Sequence, residues 1–410
     1  MSARAVHCVG LGMAALAFFG CTPETQIEYQ YDPYEGDVYP SNRPKLTIPA
    51  GGMGVVSDSL SDTLSFIDLD KGERFAHYPI GREPVTIDGP HHVVVDPKAG
   101  AIYVALSYPV VAGTVGPHAT HGSSSAAGWA QKLALDDLRL LGQVRVDPNP
   151  GEIVISQDGT RLVVSHFDLK RALDNPANLD AARSTIAVID PATLKTSGSP
   201  DPVRIPIGIA AHGMALSRPD GATAYVACYG EDALCIADLT NPNAEPRRIP
   251  VGPGATMFNP TYGPYAAVMS PDGKTIAVSS TVSKDVRFFD VDTETFDAAK
   301  TVKTVGAPFF VAWSDDGKRM FIPTQQPDAL VVVDLENGHQ QMDYRDLAGV
   351  CEKPHVAETH GLTDLFIVCE GDQKTPGHVL KIDTMTLETK TTAEVGIYPD
   401  AFFPVEGGAL

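Results

Sequence analysis

The sequence predicts an all-β fold, a β-propeller of seven four-stranded blades, and three observations carry that prediction. An apolar run ending in Asp recurs seven times: Phe66-Ile67-Asp68, Ala134-Leu135-Asp136, Val188-Ile189-Asp190, Ile236-Ala237-Asp238, Phe288-Phe289-Asp290, Val332-Val333-Asp334 and, with Lys in the first place, Lys381-Ile382-Asp383. These aspartates stand 44 to 68 residues apart, the length of one blade with loops of variable size. An Asp-Gly turn precedes four of them, at Asp158-Gly159, Asp220-Gly221, Asp272-Gly273 and Asp316-Gly317, each bounded by β-branched or aromatic runs. A sheet of this kind cannot bury both faces alone, so the units must stack around an axis.

Composition agrees with this architecture. The 410 residues include 37 glycines and 33 prolines, which fit many turns, with 43% apolar and 20% charged residues. Net charge is -20, and the basic residues are scattered rather than gathered into a stripe, which excludes nucleic acid as a partner.

At the N-terminus, residues 1–20 read as a signal peptide: Arg4 precedes an uncharged stretch too short to span a bilayer. Residues 21–45 are polar and rich in Pro and Tyr, as in a tether, and residues 46–410 form the propeller. The complete blades are expected at about 90–148, 149–208, 210–252, 262–306, 307–349 and 351–396. Residues 53–81 offer three strands without an innermost one, and residues 400–405 offer a strand with nothing after it. Pairing the two closes the ring and removes exposed sheet edges, so the chain is expected to be a monomer. The six cysteines include Cys8 in the signal and Cys21 at the cut. The other four are expected to form local disulfides in an oxidising compartment, Cys228 with Cys235 and Cys351 with Cys369.

Two resemblances extend this reading. Phe18-Phe19-Gly20-Cys21 resembles the bacterial lipobox, which implies cleavage before Cys21, a diacylglycerol on its sulfur, and anchorage of a periplasmic or cell-surface protein to a bacterial membrane. Over about residues 50–406 the chain resembles the YVTN-type propeller repeat family, through the Asp-Gly turns and runs such as Ile102-Tyr103-Val104-Ala105 and Ala224-Tyr225-Val226-Ala227. That family implies a fold and no particular chemistry.

Sorting the histidines by strand places seven at one channel mouth. His91, His92, His212 and His355 start inner strands, His118 and His121 lie in a loop between second and third strands, and His166 ends a second strand. Two long insertions, residues 108–130 and 167–184, rise from the same face, and the second is expected to hold a short helix. Three readings stay open. The first is non-catalytic binding of a protein or small ligand at this mouth. The second is a histidine-ligated transition metal, copper, zinc or iron, on the same face. The third is a lactonase-like hydrolase, whose resemblance implies Glu, Asn and Asp around a channel calcium. Serine-hydrolase, zinc-protease, P-loop and haem-attachment motifs are absent.

Overall fold

The computed structural model describes residues 45–110 and 122–409. The signal peptide, Cys21, most of the tether, His118 and His121 lie outside the described residues. Within them the chain forms seven antiparallel sheets in the order expected.

We number the blades from the composite one. Blade 1 pairs the C-terminal strand Pro399–Glu406 with Gly52–Asp58, followed by Thr63–Asp68 and Glu73–Pro79. The closing register sets Met53 against Val405 and Val55 against Phe403. Blades 2, 3 and 4 start on the inner strands Pro90–Asp96, Pro150–Ile155 and Ala211–Leu216. Blade 5 starts on Pro264–Met269, and its outer edge is divided between Thr295–Phe296 and Val302–Lys303. The inner strand of blade 6 is itself split, into Ala307–Pro308 and Ala312–Trp313. Blade 7 runs from Pro354–His360 outward to Thr389–Ile397.

Cohesion comes from stacking between blades. Middle strands such as Thr63–Asp68 and Ala101–Leu106 are buried at every position, because a neighbouring sheet covers each face, whereas the outer strand Gln340–Asp346 is almost wholly exposed. One apolar cluster joins Val94, Tyr103 and Val144 of blade 2 to Ile153, Val164 and Ala187 of blade 3. Each buried aliphatic side chain contributes about 1.5–3 kcal/mol, so a blade is stable through its neighbours.

The repeated phrases have local causes. Six of the seven phrase aspartates cap the turn after the third strand by accepting backbone N–H groups: Asp68 from Asp70, Asp190 from Ala192, Asp238 from Thr240, Asp290 from Thr293, Asp334 from Glu336 and Asp383 from Met385. In blade 2 Asp137 serves instead, accepting from Arg139 N at 3.0 Å. In the Asp-Gly turns only the glycine takes a positive φ, between 63° and 75°. In three of the four turns the aspartate accepts a hydroxyl from the serine two residues earlier, at 2.7 Å in Ser156–Asp158 and 2.6 Å in Ser270–Asp272 and Ser314–Asp316.

The lysine in the last phrase also has a purpose. Lys381 Nζ is buried and donates to Leu69 O at 2.8 Å and Asp70 O at 2.7 Å while pairing with Asp364 at 3.0 Å. It thereby fastens blade 7 to blade 1, where the ring closes.

Both cysteine pairs lie at disulfide distance, with Cα separations of 6.1 Å for Cys228–Cys235 and 5.1 Å for Cys351–Cys369. The second insertion carries two short helices, α1 (Leu169–Asp174) and α2 (Leu179–Ala182). Asp168 caps the first by accepting Arg171 N, and Asn178 caps the second by accepting Ala181 N. Among the described residues no helix is long and apolar enough to cross a membrane.

Candidate metal centre in the axial channel

The site is built from the way inner strands begin. Five of them open on proline and two on alanine, blade 6 having its proline second at Pro308, and the residue after that proline, or after Ala211 in blade 4, forms a ring around the channel: His91, Gly151, His212, Tyr265, Phe309, His355 and Asp400. The residue before the strand takes a positive φ in six blades, at Gly89, Asn149, Ala210, Gly263, Lys353 and Tyr398. In the same six blades the pairing register shifts at the ring position. A bulge of this kind leaves one residue out of the ladder and re-aims its side chain, here toward the channel. The four non-glycine left-handed residues cost on the order of 1–2 kcal/mol each, a cost that recurs where structure serves a site.

Neighbouring blades hold these residues in place. Ser57 Oγ of blade 1 donates to His91 O at 2.5 Å, and Ser165 Oγ of blade 3 donates to His212 O at 2.5 Å. Gly213, after His212, permits the approach of blade 5, because a Cβ there would lie 2.5 Å from Ala266 Cα.

Three imidazoles gather at the centre. The His91 ring centroid lies 4.7 Å from that of His92 and 5.6 Å from that of His212, and His92 to His212 is 5.9 Å. Ligand atoms of His91, His92 and Asp400 lie within 4.8 Å of one another, and all three residues are buried. His91 Nδ1 meets Asp400 Oδ2 at 2.5 Å. The other carboxylate oxygen meets His355 Nδ1 at 3.1 Å, and His355 lies 3.5 Å from Glu370. An aromatic collar surrounds the group: Tyr265 stacks on His212 at 4.0 Å, and Phe310 and Phe167 each lie 4.9 Å from a histidine ring.

Electrostatics sorts the histidines. Burial opposes charge on His355, but its hydrogen bond to Asp400 and the nearby Glu370 outweigh it and raise its pKa. His355 is the imidazole that faces both buried carboxyls. Burial pushes Glu370 up to about 7. Burial and the surrounding carboxylates hold the Tyr265 phenol well above its ordinary range.

His166 stands apart from the group expected from the sequence. Its Nδ1 lies 2.7 Å from Thr185 O and its Nε2 accepts Asp147 N at 3.1 Å, so both ring nitrogens serve the fold. Burial lowers its pKa to about 4, leaving a neutral core histidine. The histidines are also not displayed at an open mouth. His91, His212 and His355 are 0% exposed and His92 is 5% exposed. Leu169 and Ala172 of α1 and Leu179 of α2 pack over the apolar cluster that contains Phe167, Tyr265 and Phe310, covering this side.

Farther along the inner strands the channel widens into a cavity of about 230 Å³. His92 and Phe310 form part of its wall, Glu152 and Glu358 supply its carboxyls, and the rest is largely apolar, including Val94, Val356 and Phe402. Burial pushes both carboxyls up to about 8. Asp400, Glu370, Tyr265, Glu152 and Glu358 were not among the residues singled out from sequence. Aligning the Pro-X starts of the inner strands exposes the signal for Asp400 and Tyr265, since Pro90-His91, Pro264-Tyr265, Pro354-His355 and Pro399-Asp400 occupy one repeat position.

No family model matches the chain, and no curated protein matches it. Solved structures do resemble it. The periplasmic gluconolactonase of Pseudomonas aeruginosa is 14% identical, with a TM-score of 0.62 over 86% of this chain and 99% of its own. A 6-phosphogluconolactonase-like protein of Bacteroides uniformis is 15% identical, with a TM-score of 0.60 over 87% of this chain and 100% of its own. The apo form of AztD from Citrobacter koseri is 13% identical, with a TM-score of 0.52 over 86% of this chain and 97% of its own. The class defined by fold and comparison is the seven-bladed β-propeller. At these identities the likeness carries the fold alone.

Proposed function

We propose that this chain is an extracytoplasmic propeller, tethered through a lipid on Cys21, that holds a transition-metal ion in its channel through His91, His92 and His212. The observation that carries the reading is the gathering of three buried imidazoles, His91, His92 and His212, whose ring centroids lie 4.7, 5.6 and 5.9 Å apart, with ligand atoms of His91, His92 and the neighbouring Asp400 within 4.8 Å of one another. Three imidazoles bound at about 2.0–2.1 Å to a tetrahedral metal set their ring centres roughly 5 Å apart. The observed 4.7, 5.6 and 5.9 Å bracket that spacing.

Asp400 acts on His91 rather than replacing it. By accepting from Nδ1 it selects the tautomer that presents Nε2, the usual partnership of a carboxylate with a metal-bound histidine. His355 lies on the other side of Asp400, 3.1 Å from its second carboxylate oxygen and 3.5 Å from Glu370. Nitrogen donors of this kind suit zinc, copper and iron. The two disulfides are consistent with an oxidising compartment outside the cytoplasm.

Metal analysis of the purified chain after incubation with zinc, copper or iron tests the proposal. One metal per chain is expected, lost in the His91→Ala/His92→Ala variant while the circular-dichroism spectrum keeps its β signature. A metal-free unaltered chain, or undiminished stoichiometry in the variant, would overturn it.

A further inference from the structure

The cavity beside the histidines has a composition that the metal centre does not use. Glu152 comes from the inner strand of blade 3 and Glu358 from that of blade 7, so the two carboxyls reach the channel from well-separated sides of the ring. They are close enough for charge on Glu358 to act on Glu152. Among the described residues no lysine or arginine lines the cavity. Glu152 accepts the backbone N–H of Met214, which fixes its carboxyl, while no hydrogen bond to Glu358 is found among the described residues. Two carboxyls between apolar walls and without a cationic partner are unfavourable for the fold by itself.

Position along the channel adds an independent argument. His92 belongs both to the imidazole group and to the cavity wall. On the opposite side of the histidines, Phe167 and the packed faces of α1 and α2 cover the group with apolar side chains. Among the described residues, an ion approaching over Phe167 and the two helices meets hydrocarbon. One approaching through the cavity meets carboxylate oxygens and then an imidazole.

We infer that the cavity is a loading chamber for divalent cations, in which Glu152 and Glu358 capture the ion and His92 passes it to the histidine centre. This rests on the metal centre proposed above. The chamber acts on the rate of loading, and the final ligands set the affinity. Carboxylate oxygens hold a transition ion less tightly than imidazole nitrogens, so the ion moves on.

The test adds Zn(II) to metal-free full-length chain in a stopped-flow instrument and follows zinc uptake with a chromophoric chelator. At about pH 8, where the two glutamates ionise, the Glu152→Gln/Glu358→Gln variant is expected to reach the same stoichiometry as the unaltered chain but about tenfold or more slowly, the scale on which a charged cleft raises on-rates, and the difference is expected to shrink as pH falls below that value. Each single variant is expected to fall between, which keeps the test open if the double variant does not fold. Loading of the folded variants at the unaltered rate would overturn the chamber while leaving the metal centre intact. Failure of the unaltered chain to take up zinc, copper or iron would remove the centre, and the chamber's role with it.

Discussion

Asp400→Asn is the sharpest probe of the proposed centre, because it changes charge with almost no change in shape. The carboxylate is 0% exposed and holds two imidazoles, His91 at 2.5 Å and His355 at 3.1 Å. An amide keeps one acceptor oxygen and turns an N–H₂ toward the other ring. With both imidazoles donating through Nδ1, one of the two contacts becomes donor against donor. Removing such an outer partner of a metal-bound histidine costs about 10–100-fold in metal affinity, roughly 1.4–2.7 kcal/mol. The lost charge-assisted hydrogen bond costs the metal-free fold about 1.5–3 kcal/mol in addition. Competition titrations against a chelator of known affinity read the first effect, and denaturant melts of metal-free protein read the second. A variant that binds metal within about twofold of the unaltered chain would refute the Asp400–His91 partnership. Unchanged stability would refute the buried charge network.

Three further outcomes follow from the fold. Burial raises Asp58 and Asp62 to about 7 and Glu152 and Glu358 to about 8, above unfolded values of 3.8 and 4.5. The folded state therefore binds more protons than the unfolded one across that window. Their contribution is full below the unfolded values and is lost as pH rises through the folded ones. The Tm of metal-free protein should fall between about pH 4 and about pH 8, less steeply in the Glu152→Gln/Glu358→Gln variant; a flat profile would count against these burials. Replacing Cys351 and Cys369 by Ser, which opens a loop with a sequence separation of 18, should cost about 3 kcal/mol, against about 2.5 kcal/mol for Cys228 and Cys235 with a separation of 7. Equilibrium denaturation of the two double variants should show that order. Lys381→Ala should cost about 3 kcal/mol, the lower end for breaking a buried ion pair, because Asp364 keeps Lys390 at 2.8 Å. Its denaturation midpoint should drop accordingly, and an unmoved midpoint would show that Lys381 is no latch.

Much of the architecture was legible in the chain because its causes are local. An aspartate that caps the turn after a strand, and a glycine that takes the left-handed angle beside it, act within a few residues and therefore leave a repeat. Ring closure was legible too, since three strands without an inner partner and one strand without a sheet complete each other. The sequence also brought His91, His92, His212 and His355 to one level of the channel. It placed His166 with them because a residue at a strand end was counted by its address. Whether its nitrogens face the channel or the Thr185 backbone depends on packing.

The tertiary structure alone decided the rest. Asp400 and His91 are neighbours only because the closing strand lies beside Gly52–Asp58, next to blade 2. Their repeat position was visible in the Pro-X starts, but the 2.5 Å contact and the raised pKa of His355 arise from burial among particular partners. The same holds for the chamber. Glu152 and Glu358 read in sequence as ordinary strand glutamates, and only the stacking of seven sheets turns them toward one cavity. Local hydrogen bonding and strand periodicity wrote the propeller into the chain, whereas its candidate chemistry depends on desolvation and convergence across the ring.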